Sequence, residues 1–135
     1  MKKTIFIFML LLSISLTLNA ETLLYKAYKY NYHTKNVATG KWNYWHKWKK
    51  CNTNVTIDTD NNIVVIYSKK KQTYIVKDYI TSLEDVKGGS QVRMTITDQD
   101  GDTGELRLRV DKNDVLQIYI DFPNATWVYC VRVVE

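Results

Sequence analysis

Gly104-Glu105-Leu106-Arg107-Leu108-Arg109-Val110, the turn Asp111-Lys112-Asn113-Asp114, and Val115-Leu116-Gln117-Ile118-Tyr119-Ile120-Asp121 form the stretch that decides the fold. Apolar and polar residues alternate on both sides of a turn whose Asn and Asp tolerate unusual backbone angles. That is the pattern of two antiparallel strands burying one face. Outward from it, the same period of two predicts strands near residues 23–32, 42–49, 53–58, 62–68, 72–80, 91–98, 104–110, 115–121 and 126–134. Asp60-Asn61-Asn62, Gly88-Gly89 and Asp100-Gly101-Asp102 supply further turns. No stretch after the first twenty residues keeps a helical period, and the one proline is Pro123. Short connections imply antiparallel neighbours, because a parallel crossover needs a dozen or more residues and only 80–90 approaches that length. Within it, Thr81 or Ser82 would cap a single helical turn ending near Val86.

The expected class is all-β: an antiparallel up-and-down barrel, or a barrel-like sandwich, of eight or nine strands. Closure is the simplest way for such a meander to remove its edges, and it makes the early and final strands neighbours. On strand phase, Trp42, Tyr44, His46 and Trp48 share one face, leaving Cys51 opposite with Trp45. Trp127, Tyr129, Val131 and Val133 share the apolar face of the last strand, with Cys130 opposite beside Arg132. Both cysteines are then expected to point outward, and a Cys51–Cys130 disulfide would staple the seam. Linking positions 79 apart would restrict the unfolded chain by about 4–5 kcal/mol in the loop-entropy treatment. The alternative is two unpaired thiols.

Lys2 and Lys3 precede an almost unbroken apolar run from Ile5 to Leu18, then Asn19-Ala20. This has the form of a short, bacterial-looking signal peptide cleaved after Ala20, and it is too short for a typical span. The expectation is an exported chain, periplasmic or secreted, with residues 1–20 as signal and 21–135 as one barrel domain of 115 residues. Charge is unevenly spread. Residues 21–50 hold seven lysines and one glutamate, whereas residues 51–135 hold ten basic and thirteen acidic side chains. A basic amino-terminal surface attracts anionic partners.

Gly40-Lys41-Trp42 resembles the G-x-W that opens the first barrel strand of lipocalins and related calycins. The resemblance covers these three residues and the strand count. It implies a calycin-like barrel in which Trp42 packs at the closed end against an arginine from near the last strand, a place that Arg132 would fill. It also implies a carrier of a small hydrophobic ligand as one reading of function.

The densest functional signal lies between Tyr25 and Trp48. Tyr30, Tyr32, Trp42, Tyr44, Trp45 and Trp48 are interleaved with lysines that include Lys47 and Lys49. Aromatic faces stack on sugar rings and ammonium groups pair with anions, so these eight residues are the candidate ligand-binding set, with Trp45 the most telling. The same rings could instead fill a barrel interior. Asp98, Asp100, Asp102 and Glu105 look like a calcium loop, but Gly104 falls one residue late and Arg109 stands where an EF-hand needs glutamate, so the segment reads as a hairpin turn. Lys69, Lys70 and Lys71 read as a hairpin tip. No nucleophile elbow, phosphate loop or ligand-spaced His/Cys cluster is present, so neither catalysis nor a cofactor or metal is expected. The reading is a non-catalytic binding protein for a glycan, amphiphile or other anionic ligand. Its alternatives are a protein-interaction module or enzyme inhibitor, and the carrier. Nucleic acid is the disfavoured anionic partner.

Overall fold

The alternation is realised as strands that bury every second residue. The structure, a computed structural model, describes residues 22–82 and 89–134. Eight strands follow in order: β1 (Thr22–Thr34), β2 (Lys49–Asp58), β3 (Ile63–Ile66), β4 (Gln72–Ser82), β5 (Ser90–Thr97), β6 (Thr103–Val110), β7 (Leu116–Phe122) and β8 (Ala125–Val133). Each pairs antiparallel with its sequence neighbours, and β8 pairs back with β1 from Thr34↔Ala125 to Tyr25↔Val133, closing the barrel. Among the described residues no helix is long and apolar enough to cross a membrane. The expected signal segment at residues 1–20 and the expected helical turn around Leu83–Val86 lie outside the described residues.

Inward positions fill the interior. Leu106, Leu108, Ile118, Ile120, Ile96 and Met94 are almost wholly buried, joined by Val55, Ile57, Val64 and Ile66 from the other side and by Tyr25, Tyr74 and Tyr129. An eight-stranded barrel is narrow enough for such side chains to fill it or to leave room for one small ligand. Outside, Arg93 faces Arg107 across β5 and β6. That like-charge pair is relieved because Arg93 grips Glu105 and Arg107 grips Asp121 with its Nε at 2.6 Å and Nη2 at 3.2 Å. Gly104 is required where β6 meets β7, since a Cβ there would stand 2.5 Å from the Asp121 carbonyl oxygen and 2.9 Å from the Phe122 ring.

The strand expected at 42–49 does not form. Residues 35–48 are a long β1–β2 connection with one isolated bridge, Lys35↔Trp42, and β2 runs unbroken from Lys49 to Asp58. The hairpin turns expected at 60–62, 100–102 and 112–114 do form, and Gly88 of the expected Gly88-Gly89 turn lies outside the described residues. The Asp98 carboxylate accepts from the Asp100 and Asp102 amides, with Gly101 at φ 86° completing that turn, and the lysine run sits at the β3–β4 tip.

Strand lengths are unequal. β3 has four residues and reaches only Val55–Asp58 of the ten-residue β2. β1 extends past β2 at the other end, where the last β1–β2 pair is Tyr30↔Lys49 while β1 continues to Thr34. A register shift between Ala27 and Lys29 lies on both sides of β1, the mark of a bulge at Tyr28.

A candidate ligand-binding surface

Beyond Tyr30, strand β1 has β8 on one side and no strand of β2 on the other, so its backbone needs partners. The connection supplies them. The Asn43 amide donates to the Thr34 carbonyl (2.8 Å) and the His46 amide to that of Tyr32 (3.1 Å), while Asn43 Nδ2 donates to Thr34 Oγ1 (3.2 Å). The reversal before it is held by Asn36, whose Oδ1 accepts from the Ala38 and Thr39 amides at 3.0 and 3.3 Å, and by Gly40 at φ 71°. Attachment at Asn43 and then His46 is a spacing of three, which no strand ladder has.

That spacing aligns Trp42, Trp45 and Trp48 on the outer side of the wall. His33, outward on β1, stacks against Trp42 with ring centroids 4.5 Å apart and against Trp45 at 3.8 Å with planes 9° apart. His33 Nδ1 lies 3.2 Å from the Asn43 carbonyl oxygen; a carbonyl only accepts, so Nδ1 carries the hydrogen. Lys29, also outward, holds its Nζ 4.8 Å from the Trp48 ring centroid. The three indoles nonetheless remain 43%, 44% and 45% exposed, and Tyr44 is 97% exposed. Large rings left half in water along one strip are the kind of surface that binding partners use.

The inner face of the same strand end carries a second stack. Tyr32 lies between His46 (4.0 Å) and Trp127 (6.5 Å), and Tyr30 stacks on Tyr129 at 6.0 Å. His46 Nδ1 donates to the Tyr32 carbonyl at 2.9 Å. Below them, Tyr74 donates to Gln72 Oε1 (2.5 Å), and Gln72 Nε2 donates to the Tyr129 hydroxyl (3.0 Å). Burial, first of all, pushes the Tyr74 and Tyr129 phenols above their ordinary range.

The expected set is therefore divided. Trp42, Trp45 and Trp48 come together outside with Tyr44, Lys47 and Lys49 exposed nearby in the chain, whereas Tyr30 and Tyr32 face the barrel mouth. The expected sharing of one face by Trp42, Tyr44, His46 and Trp48, with Trp45 opposite, is corrected: Trp45 joins Trp42, and His46 turns to the mouth. Strand phase does not apply to a segment outside the ladder. His33 and Lys29, on which the indoles rest, were missed; three tryptophans at intervals of three were the signal that this was no strand.

Against family models, curated proteins and solved structures, the chain finds no match. The G-x-W motif takes none of the positions its resemblance implied. Gly40-Lys41-Trp42 follows β1 instead of opening it, Trp42 packs outside on His33, and Arg132 stacks on Tyr28 with its guanidinium 4.6 Å from the ring centroid.

The expected Cys51–Cys130 disulfide is not formed in this structure. Cys51 and Cys130 are free thiols. Cys51 points inward against the core and donates to the Ala27 carbonyl (3.5 Å), while Cys130 points outward, buried, and receives Gln117 Nε2 at 3.8 Å. Strand β1 runs between them, with Lys29 paired to Cys130 on one side and Lys50 on the other. Two strand spacings amount to about 9–10 Å between backbones, beyond the roughly 7 Å that a disulfide spans. Burial pushes the Cys130 thiol up, keeping it protonated and inert. Among the described residues no group of three His, Cys, Asp or Glu is placed to hold a metal ion.

The segment that builds the strip carries charge of one sign. From Thr22 to Ile57 the chain has seven lysines and no carboxylate. The acidic side chain brought closest by register, Asp121, is held by Arg107 and by Thr126 Oγ1 (3.3 Å).

Proposed function

We propose that the protein is an exported, non-catalytic binding protein that holds an acidic glycan, or an anionic ligand of like shape, on the strip formed by Trp42, Trp45 and Trp48. The observation that carries this reading is the strip itself: three half-exposed indoles on one outer face, mounted on His33 and Lys29. Flat rings at the protein surface offer stacking faces to sugar rings, and surrounding lysines supply long-range attraction to uronate or sulfate groups. Burial of large aliphatic and aromatic side chains throughout the interior favours this surface over an internal carrier site, as does the outward position of Trp42.

The test is titration of intrinsic tryptophan fluorescence with acidic and neutral oligosaccharides at low and high salt. A saturable, salt-sensitive change with acidic sugars is expected, weakened tenfold or more by Trp45→Ala, whose ring is half-exposed and whose loss should leave the melting temperature nearly unchanged. Equal binding by Trp45→Ala and the parent protein would refute the assignment.

A further inference from the structure

A different observation concerns strand β2. Its lower half, Val55–Asp58, pairs with β3, and the Tyr67 amide extends that pairing by one bond to the Asn54 carbonyl (2.9 Å). The chain then turns into the β3–β4 tip, and from Lys49 to Thr53 the side of β2 facing away from β1 has no strand partner among the described residues. This is an open sheet edge of five residues, about 17 Å long at strand rise, in a barrel otherwise closed on itself.

Open edges invite another strand, and proteins commonly blunt them with lysine. Here both ends of the edge are lysine-rich. Lys47, Lys49 and Lys50 stand at its start, and Lys69, Lys70 and Lys71, all exposed, form the tip that begins two residues after Tyr67. On β2 itself the first carboxylate is Asp58, at the far end of the strand and already committed to the Asn61 turn. Between Asn61 and Lys77 there is no acidic residue. Six cations around one edge repel a second copy of that edge, as well as any basic or neutral strand that offers them nothing. They leave one complementary occupant.

The geometry points to β2 as a docking edge for an extended acidic segment of a partner protein, added antiparallel or parallel to Lys49–Thr53 and gripped at both ends by lysines. Main-chain hydrogen bonds would give the added strand its place, and alternate glutamates or aspartates would reach the two lysine clusters. Half-exposed Tyr67, with Lys71 Nζ 5.6 Å from its ring centroid, bounds the site at the tip.

The experiment uses the isotope-labelled protein and a capped peptide of about seven residues, long enough to span the edge, alternating glutamate with valine and threonine. The expected result is saturable protection from hydrogen exchange, with large shifts, at amides within 49–53. Affinity should fall several-fold between about 50 and 500 mM salt and at least tenfold in Lys50→Glu/Lys70→Glu. No perturbation at 49–53 would overturn the proposal. So would equal binding of a peptide with glutamine in place of glutamate, which needs only the wild-type protein and removes any question of the variant's folding. Equal protection of these amides by an acidic oligosaccharide of the same charge would refute strand addition, because a sugar offers no ladder. Shifts confined to the Trp42–Trp48 indoles would assign the peptide to the other surface and refute the edge.

Discussion

Tyr25 turns alkaline pH into a measure of the core. Its ring is 2% exposed, between Val55 and Val133 in the register of β1, and burial pushes its phenol from the ordinary 10.0 to about 12. Below pH 10 the folded and unfolded chains both keep the proton, and the stability Tyr25 contributes is fully present. Between pH 10 and about 12 the unfolded chain ionises first, so stability falls as pH rises through that window. A difference of two pH units corresponds to about 2.7 kcal/mol in full, and about 1.4 kcal/mol of it is lost by pH 11. Tyr25→Phe keeps the ring and removes the titration. Urea unfolding of both proteins at pH 8 and pH 11 should therefore show the parent losing about 1.4 kcal/mol more than the variant. Every other group is common to the two proteins, so its contribution cancels. Parallel pH profiles would refute the argument, and with it the placement of Tyr25 inside the barrel.

Three further outcomes test particular contacts. A reducing agent should leave the melting temperature unchanged, and a thiol reagent should label Cys130 only on unfolding; a drop of more than about 10 °C on reduction would reveal a disulfide and overturn the β1–β2–β8 arrangement. Gly104→Ala should cost about 1–3 kcal/mol in chemical denaturation, because its Cβ meets backbone at 2.5 Å. Glu105→Gln should cost less than about 1 kcal/mol, since Arg93 and Glu105 are 36% and 26% exposed and solvent screens the pair.

The barrel was legible because its evidence repeats: Leu106, Leu108, Ile118 and Ile120 alternate with charged or hydrogen-bonding residues, and Asn62, Gly101 and Asp114 stand where three of the hairpin turns take positive φ. The Trp-rich segment was misread for a physical reason. Period two in composition, Trp-Asn-Tyr-Trp-His-Lys-Trp, resembles a strand as long as aromatics of any position are counted, but Trp42, Trp45 and Trp48 recur every third residue and bond to β1 through Asn43 and His46 alone. The faces of Cys51 and Trp45 then followed from a ladder that does not exist there. Nor could local pattern reveal that His33 and Lys29 would seat the indoles, since those contacts cross from one segment to another at 3.8–4.8 Å.

Unequal strands account for both candidate surfaces. Because β8 keeps pairing to Thr34 while β2 stops at Tyr30, four residues of β1 are left with one open side, and the connection that covers them must bring Asn43 and His46 inward to the backbone. The residues between and around those anchors, the three tryptophans among them, are thereby turned outward. Because β3 is four residues long, the opposite side of β2 is left open from Lys49 to Thr53. A longer β3 would close that edge without touching the tryptophans, and a longer β1–β2 ladder would abolish the strip without closing the edge. Extending β3 by redesigning residues 67–71 into paired strand should thus remove the acidic-peptide response and leave the glycan response intact. Loss of both together would mean that the two surfaces are one site, contrary to the separation argued from the register.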